Sequence, residues 1–101
     1  MHTRLEQENG KAIIKLSGRF DFNSHREFRG SYESALDNAQ LRELVVDLAG
    51  VDYLDSSALG MLLLLRDRAT AASKAVSLEN CRGNVRQVLD IANFGKLFNI
   101  S

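Results

Sequence analysis

The stretch Leu44-Val45-Val46-Asp47-Leu48, followed by Asp55-Ser56-Ser57-Ala58-Leu59-Gly60 and the apolar run Met61 to Leu65, constrains this chain more than any other feature. The first segment is short, nearly all apolar and partly β-branched, the pattern of a strand buried on both faces. Gly50 and Asp52 behind it predict a turn. Asp55 and Ser56 are favoured helix caps, because their oxygens accept hydrogen bonds from N–H groups that have no partner inside the helix. The chain is therefore expected to run from a buried strand through a loop into a capped helix. Open α/β sheets gather their sites at such joints.

The flanking sequence supplies the other elements. Arg4 to Asn9 reads as a first strand, Asn9-Gly10 as a hairpin turn, and Lys11 to Leu16 as the return strand. Ile14 and Leu16 fall on one face of that strand and Ile13 on the other. Gly18 to Asn23 is expected to be a loop, with Asn23 or Ser24 capping a helix that runs to about Asn38. Phe28, Tyr32, Ala35 and Leu36 recur along it at helical spacing. The helix from Ser56 to about Ser73 is apolar all round at first and turns polar at Arg66, Asp67 and Arg68. Its early turns are expected to be buried and its late turns exposed. Ala75 to Glu79 reads as a strand, and Asn84 to Asn93 as an amphipathic helix closed by Gly95. Lys96 to Ile100 adds a last strand or an extended tail.

The order β-β-α-β-α-β-α contains two strand-helix-strand units, which imply parallel pairing through right-handed crossovers. The opening hairpin adds an antiparallel strand. The expected fold is a small α/β domain over residues 1–101, with a mixed sheet and interleaved helices.

Charge and cysteine usage exclude several function classes. Thirteen basic and thirteen acidic residues cancel, and no basic cluster stands out, so no field for nucleic acid is expected. The sole cysteine, Cys81, rules out an internal disulfide and reads either as a small buried residue, the favoured expectation, or as a reactive thiol. The first residues show no charged segment followed by an apolar one, so no signal peptide is expected. The longest apolar run, Ala58 to Leu65, is too short to span a bilayer. The expectation is a soluble cytoplasmic protein.

Little in the sequence supports catalysis. Ser56 lies in no Gly-x-Ser-x-Gly elbow, and no phosphate-binding glycine loop occurs. His2 and His25 have no Cys or His neighbours at metal-ligand spacing. Asp47, Asp52 and Asp55 could suggest an acidic metal pocket, but no matching lysine and Thr/Ser set accompanies them. Asp47 reads instead as a strand-end residue. Leu62 to Leu65 reads as core. No enzyme, metal or cofactor is expected. Ser56 and Ser57 remain as either plain caps or phosphoacceptors. A phosphate there would add about −1.5 to −2 charges at the positive end of a helix dipole.

Val46-Asp47-Leu48 through Asp55-Ser56-Ser57-Ala58-Leu59-Gly60 resembles the signature of STAS domains, the anti-sigma-factor antagonist family. Upstream, Ser17-Gly18-Arg19-Phe20-Asp21 resembles the family's Gly-x-Leu-Asp segment. Ala58 stands where many members have Gly, and Phe20 where Leu is common. The resemblance extends over nearly the whole chain and implies the same mixed sheet with interleaved helices.

The resemblance also implies a mechanism. The serine directly after the motif's aspartate is the family's phosphoacceptor, which here is Ser56, with Ser57 as runner-up. The partner-binding residues would be Asp21, Asn23, Ser24, Asp55, Ser56, Ser57, Ala58, Leu59 and Gly60. The unphosphorylated form would bind an anti-sigma factor and release a sigma factor. A Ser/Thr kinase, which can be the anti-sigma factor itself, would switch it off, and a PP2C-like phosphatase would restore it. No direct contact with nucleic acid or membrane is implied, and a monomer is expected when free. The alternative within the same family is a non-switching scaffold or an accessory subunit of a transport or signalling complex.

Overall fold

The computed structural model describes residues 1–101. It opens with β1 (His2–Glu8) and β2 (Lys11–Phe20), followed by a 3-10 turn (Phe22–Ser24) that leads into α1 (His25–Asp37). Then come β3 (Glu43–Leu54), α2 (Ser56–Ala71), β4 (Ala75–Glu79) and α3 (Gly83–Ile91). A second 3-10 turn (Phe94–Lys96) precedes the short β5 (Asn99–Ile100). The strands lie in sequence order, β1-β2-β3-β4-β5, with β1 antiparallel to β2 and every later pair parallel.

The hairpin forms where expected: Asn9 and Gly10 both take positive φ, 49° and 79°, as its tight turn requires. In β2 the alternation is clean. Ala12, Ile14 and Leu16 point inward and are buried, while Lys11 and Lys15 point out. One cluster of 25 buried residues joins these to the inward side chains of β3 and β4 and to residues from all three helices. The helices therefore share one face of the sheet, and the opposite face is open. Phe20, Phe28 and Tyr32 pack in succession within the core, the first pair tilted and the second edge-on, at centroid distances of 4.9 and 5.2 Å. No helix is long and apolar enough to cross a membrane.

Several local expectations give way. Gly50 and Asp52 form no turn, because β3 runs unbroken from Glu43 to Leu54. The pairing with β2 slips twice, between Lys15 and Ser17 and between Gly18 and Arg19, and each slip adds one residue to β3. Such bulges bend and twist a strand. They also change the burial spacing from alternation to every third residue, at Leu48, Val51 and Leu54. Gly50 is needed for close approach: a Cβ there would lie 2.8 Å from Ser17 Cβ and 3.0 Å from the Leu16 carbonyl oxygen. The expected loop at Gly18 begins later, since β2 continues to Phe20, with Gly18 at φ +94°.

The helix ends differ as well. Neither Asn23 nor Ser24 caps α1 by its side chain; Asp21 caps the 3-10 turn before it. Gly95 does not close α3, which stops at Ile91 and leaves through Asn93 at φ +60°. Along α2, burial follows a stripe, Ala58, Met61, Leu62, Leu65 and Ala69, over the whole helix. Leu62 and Leu65 are core, but Leu64 is 42% exposed.

Candidate functional site

The C-terminal ends of β2 and β3 bring two aspartate-capped turns side by side. The Asp55 N–H donates to the Phe20 carbonyl at 3.3 Å, tying the start of α2 to the residue before Asp21. Both turns therefore rest on the same strand pair.

The turn at Asp21 is closed on itself. The Asn23 N–H donates to Asp21 Oδ1 at 3.0 Å, and the Asp21 N–H donates to Ser24 Oγ at 3.2 Å. Ser24 Oγ donates in turn to the Arg19 carbonyl at 3.0 Å. Ser24 is 2% exposed. It was expected to face a partner, but it holds the turn from inside and presents no surface. Arg19 lies on the outside, 3.7 Å from Asp21 Oδ2 and 4.0 Å above the Tyr53 ring.

The turn at Asp55 is open. Asp55 is the N-cap of α2, and its Oδ1 accepts from the Ala58 N–H at 2.9 Å. The Asp55 carbonyl accepts from the Leu59 N–H at 3.2 Å. The first N–H groups of a helix have no partner within it. Here Asp55 satisfies that of Ala58, and Phe20 satisfies that of Asp55. The N–H groups of Ser56 and Ser57 remain for solvent or a ligand. Both serines are exposed, whereas Ala58 is fully buried and, like Ser24, cannot touch a partner. Leu59 is half-buried against the core and Gly60 is exposed.

Beside the serines lies a shallow groove of about 330 Å³, lined by Phe22, His25, Ser57, Gly60, Met61 and Leu64. Phe22 is 68% exposed although it is large and apolar. Sequence reasoning places the binding face on the loop around Asp21 to Ser24, the Asp55 to Gly60 turn and exposed parts of the helix after it, but singles out none of Phe22, His25, Met61 or Leu64. Two signals for them were available: an apolar residue inside the polar turn Asp21-Phe22-Asn23, and a leucine off the core stripe of α2. Gly60 and Leu64 share the exposed side of that helix, four residues apart.

The remaining candidates do not form a reactive centre. Asp47 Oδ1 accepts from the Ala49 N–H at 2.9 Å and from Asn80 Nδ2 at 3.0 Å, so it fixes the β4–α3 connection to β3. No three His, Cys, Asp or Glu side chains converge on a common metal position. Cys81 is 7% exposed, in line with its expected burial, and burial pushes its thiol up to about 11 against the lowering effect of Arg86. At neutral pH it is a protonated, unreactive thiol.

Fold and site together define a class: a small mixed-sheet domain that presents a serine pair at an open helix start beside an apolar groove. A family model described as "Mlab, STAS domain" matches residues 3–99, and the chain belongs to the STAS domain family. It is 49% identical over 100 residues to a STAS-domain containing protein of Pseudomonas aeruginosa, covering 98% of this chain and 97% of that one. It is 23% identical to the anti-sigma F factor antagonist of Paenibacillus polymyxa, covering 99% of this chain and 86% of that protein. Among solved structures, an anti-sigma factor antagonist from Mycobacterium paratuberculosis shares the fold with a TM-score of 0.85 at 20% identity, covering 98% of this chain and 83% of that one.

Proposed function

We propose that this protein is an anti-sigma-factor antagonist that works by binding rather than catalysis, and that phosphorylation of Ser56 switches it off. The observation that carries this reading is the state of the α2 N-terminus. Ser56 is exposed, its own N–H and that of Ser57 have no partner in the chain, and Asp55 already holds the cap. A phosphate at this position meets free donors and the positive pole of the helix, so it leaves the fold intact. The names of the Paenibacillus and other relatives as anti-sigma F factor antagonists support the partner class.

In this reading the unphosphorylated protein binds an anti-sigma factor in the cytoplasm across Asp21, Asn23, Asp55, Ser56, Ser57, Leu59 and Gly60, extended by the exposed Phe22 and Leu64. Ser24 and Ala58 act from below by fixing the two turns. A Ser/Thr kinase adds the phosphate and a PP2C-like phosphatase removes it. The added charge and bulk at the groove edge oppose a docked apolar surface. A loss of about 1.4 kcal/mol already lowers affinity tenfold.

Phosphopeptide mass spectrometry of the protein from its own cells, combined with anti-sigma-factor pull-down, tests this reading. Phosphate is expected on Ser56 and absent in Ser56→Ala, which should bind the anti-sigma factor constitutively, while Ser56→Asp should bind at least about tenfold more weakly. Phosphate on Ser57 alone would move the switch one residue. No phosphate in any growth condition, with Ser56→Asp binding normally, would replace the switch with a constitutive scaffold or accessory subunit.

A further inference from the structure

We propose that the open face of the sheet is a self-association surface that takes a second copy of this chain. Mostly parallel sheets are usually covered on both faces. Here all three helices pack on one side, and the other side carries a charge pattern that the pairing register makes legible. Arg4 pairs with Lys15, Lys15 with Asp47, and Asp47 with Glu79, so one row across four strands reads plus, plus, minus, minus. Two residues further along, on the same face, half-buried Ile13 pairs with Val45, which is 2% exposed and adds little surface of its own. In the Arg4 row the β1–β2 half is basic and the β3–β4 half acidic, while the Ile13 row carries Glu6 on β1 and Ser77 on β4.

This pattern is its own complement. A two-fold axis lying along the strands between β2 and β3 exchanges β2 with β3 and β1 with β4. It sets Arg4 over Glu79 of the second copy, Lys15 over Asp47 of the second copy, and the Ile13–Val45 pairs over each other. Every charge contact made this way is attractive and occurs twice, as an isologous interface requires. A nucleic acid or a uniformly charged protein would match one half and be repelled by the other.

Arg4, Lys15 and Glu79 are free to re-pair, whereas Asp47 Oδ1 is held by the Ala49 N–H and Asn80, which leaves Oδ2 for a partner. The ion pairs Arg4–Glu6 at 3.4 Å and Lys15–Glu6 at 3.5 Å are surface contacts on the same face. Pairs of this kind contribute little in water. Glu79 is exposed and makes no ion pair.

With strands about 4.8 Å apart and residues about 3.3 Å apart, the two rows span about 14 Å across the strands and about 7 Å along them, and stacked sheets approach to about 10 Å. That is smaller than the roughly 800 Å² per partner of a standard interface. The association is accordingly weak and transient. The serine turns lie at the C-terminal ends of β2 and β3, facing α1 and α2, so a dimer leaves them accessible.

Sedimentation of the full chain across the micromolar range tests the proposal. The wild type should show a concentration-dependent monomer–dimer equilibrium. Arg4→Glu places Glu over Glu79 twice, and Glu79→Arg places Arg over Arg4 twice. Each variant should weaken self-association by at least about tenfold. An equimolar mixture of the two should recover the dimer, because both contacts are then attractive, and this recovery also shows that each variant is folded. A wild type monomeric throughout, or a dimer indifferent to both reversals, overturns the proposal. So does a monomer whose reversals weaken anti-sigma-factor binding instead, which would assign the face to that partner.

Discussion

The two aspartate-capped turns begin from the same chemistry and end in different states. In each, an Asp precedes a helical start and its carboxylate accepts a backbone N–H, at 3.0 Å for Asp21 and 2.9 Å for Asp55. At the first turn the nearby hydroxyl belongs to Ser24, three residues on and buried. It accepts from the Asp21 N–H and donates to the Arg19 carbonyl. At the second turn the hydroxyls of Ser56 and Ser57 follow the cap directly and face solvent. Position relative to the cap thus decides whether a serine serves the fold or remains available for chemistry. The third residue past the cap turns back toward the core, and the first two turn away.

The strand pair on which both turns rest is the most sensitive place to break this comparison. Gly50→Val would drive a branched side chain into Ser17 and the Leu16 carbonyl, where even a Cβ has only 2.8 and 3.0 Å. The expected cost is about 3 kcal/mol, at the upper end for overpacked sites. It should appear as a large drop in Tm together with lost anti-sigma-factor binding, because both turns hang on the β2–β3 pair. A near-normal Tm would mean that the strands can part without disturbing either turn.

Ser24→Ala against Ser56→Ala sharpens the contrast directly. Removing the buried hydroxyl leaves the Asp21 N–H and the Arg19 carbonyl without that partner, at a cost of about 1–2 kcal/mol. Removing the exposed hydroxyl should change stability by less than about 0.5 kcal/mol. Paired urea titrations read both values. Equal stability effects would erase the distinction between a structural and an available serine.

Asp55→Ala is expected to fall between those two serine substitutions. It leaves the Ala58 N–H uncapped, at a cost of about 1 kcal/mol, and Asp55→Ser should recover most of it. Thermal unfolding of the two variants checks the order. If Ser fails to rescue while binding falls, the carboxylate serves the partner more than the helix.

Much of the fold was legible because it rests on local rules. Asn9-Gly10 specified the hairpin, alternation from Lys11 to Leu16 specified the inward face of β2, and helical spacing specified the buried side of α1. The errors cluster where two strands meet. Gly50 and Asp52 have turn composition, yet the bulged pairing with β2 keeps them in a strand, and only the partner strand reveals the slip. Ser24 looked like a surface cap because its local sequence is polar; its burial depends on the Arg19 carbonyl arriving from the end of β2. Phe22 lies in the expected Asp21 to Ser24 loop but was not singled out, because an exposed aromatic has no local signature apart from its polar neighbours.

The sequence by itself determined the order of elements, the capped start of α2 and the presence of two adjacent serines there, since caps, turns and periodicity act over a few residues. Tertiary structure decided which serines are reachable, because burial depends on what other strands bring up against them. It also assembled the groove between Phe22 on one turn and Leu64 on α2. Likewise it aligned Arg4, Lys15, Asp47 and Glu79, far apart in the chain, into one row, because the register across four strands is a property of pairing and no single segment carries it.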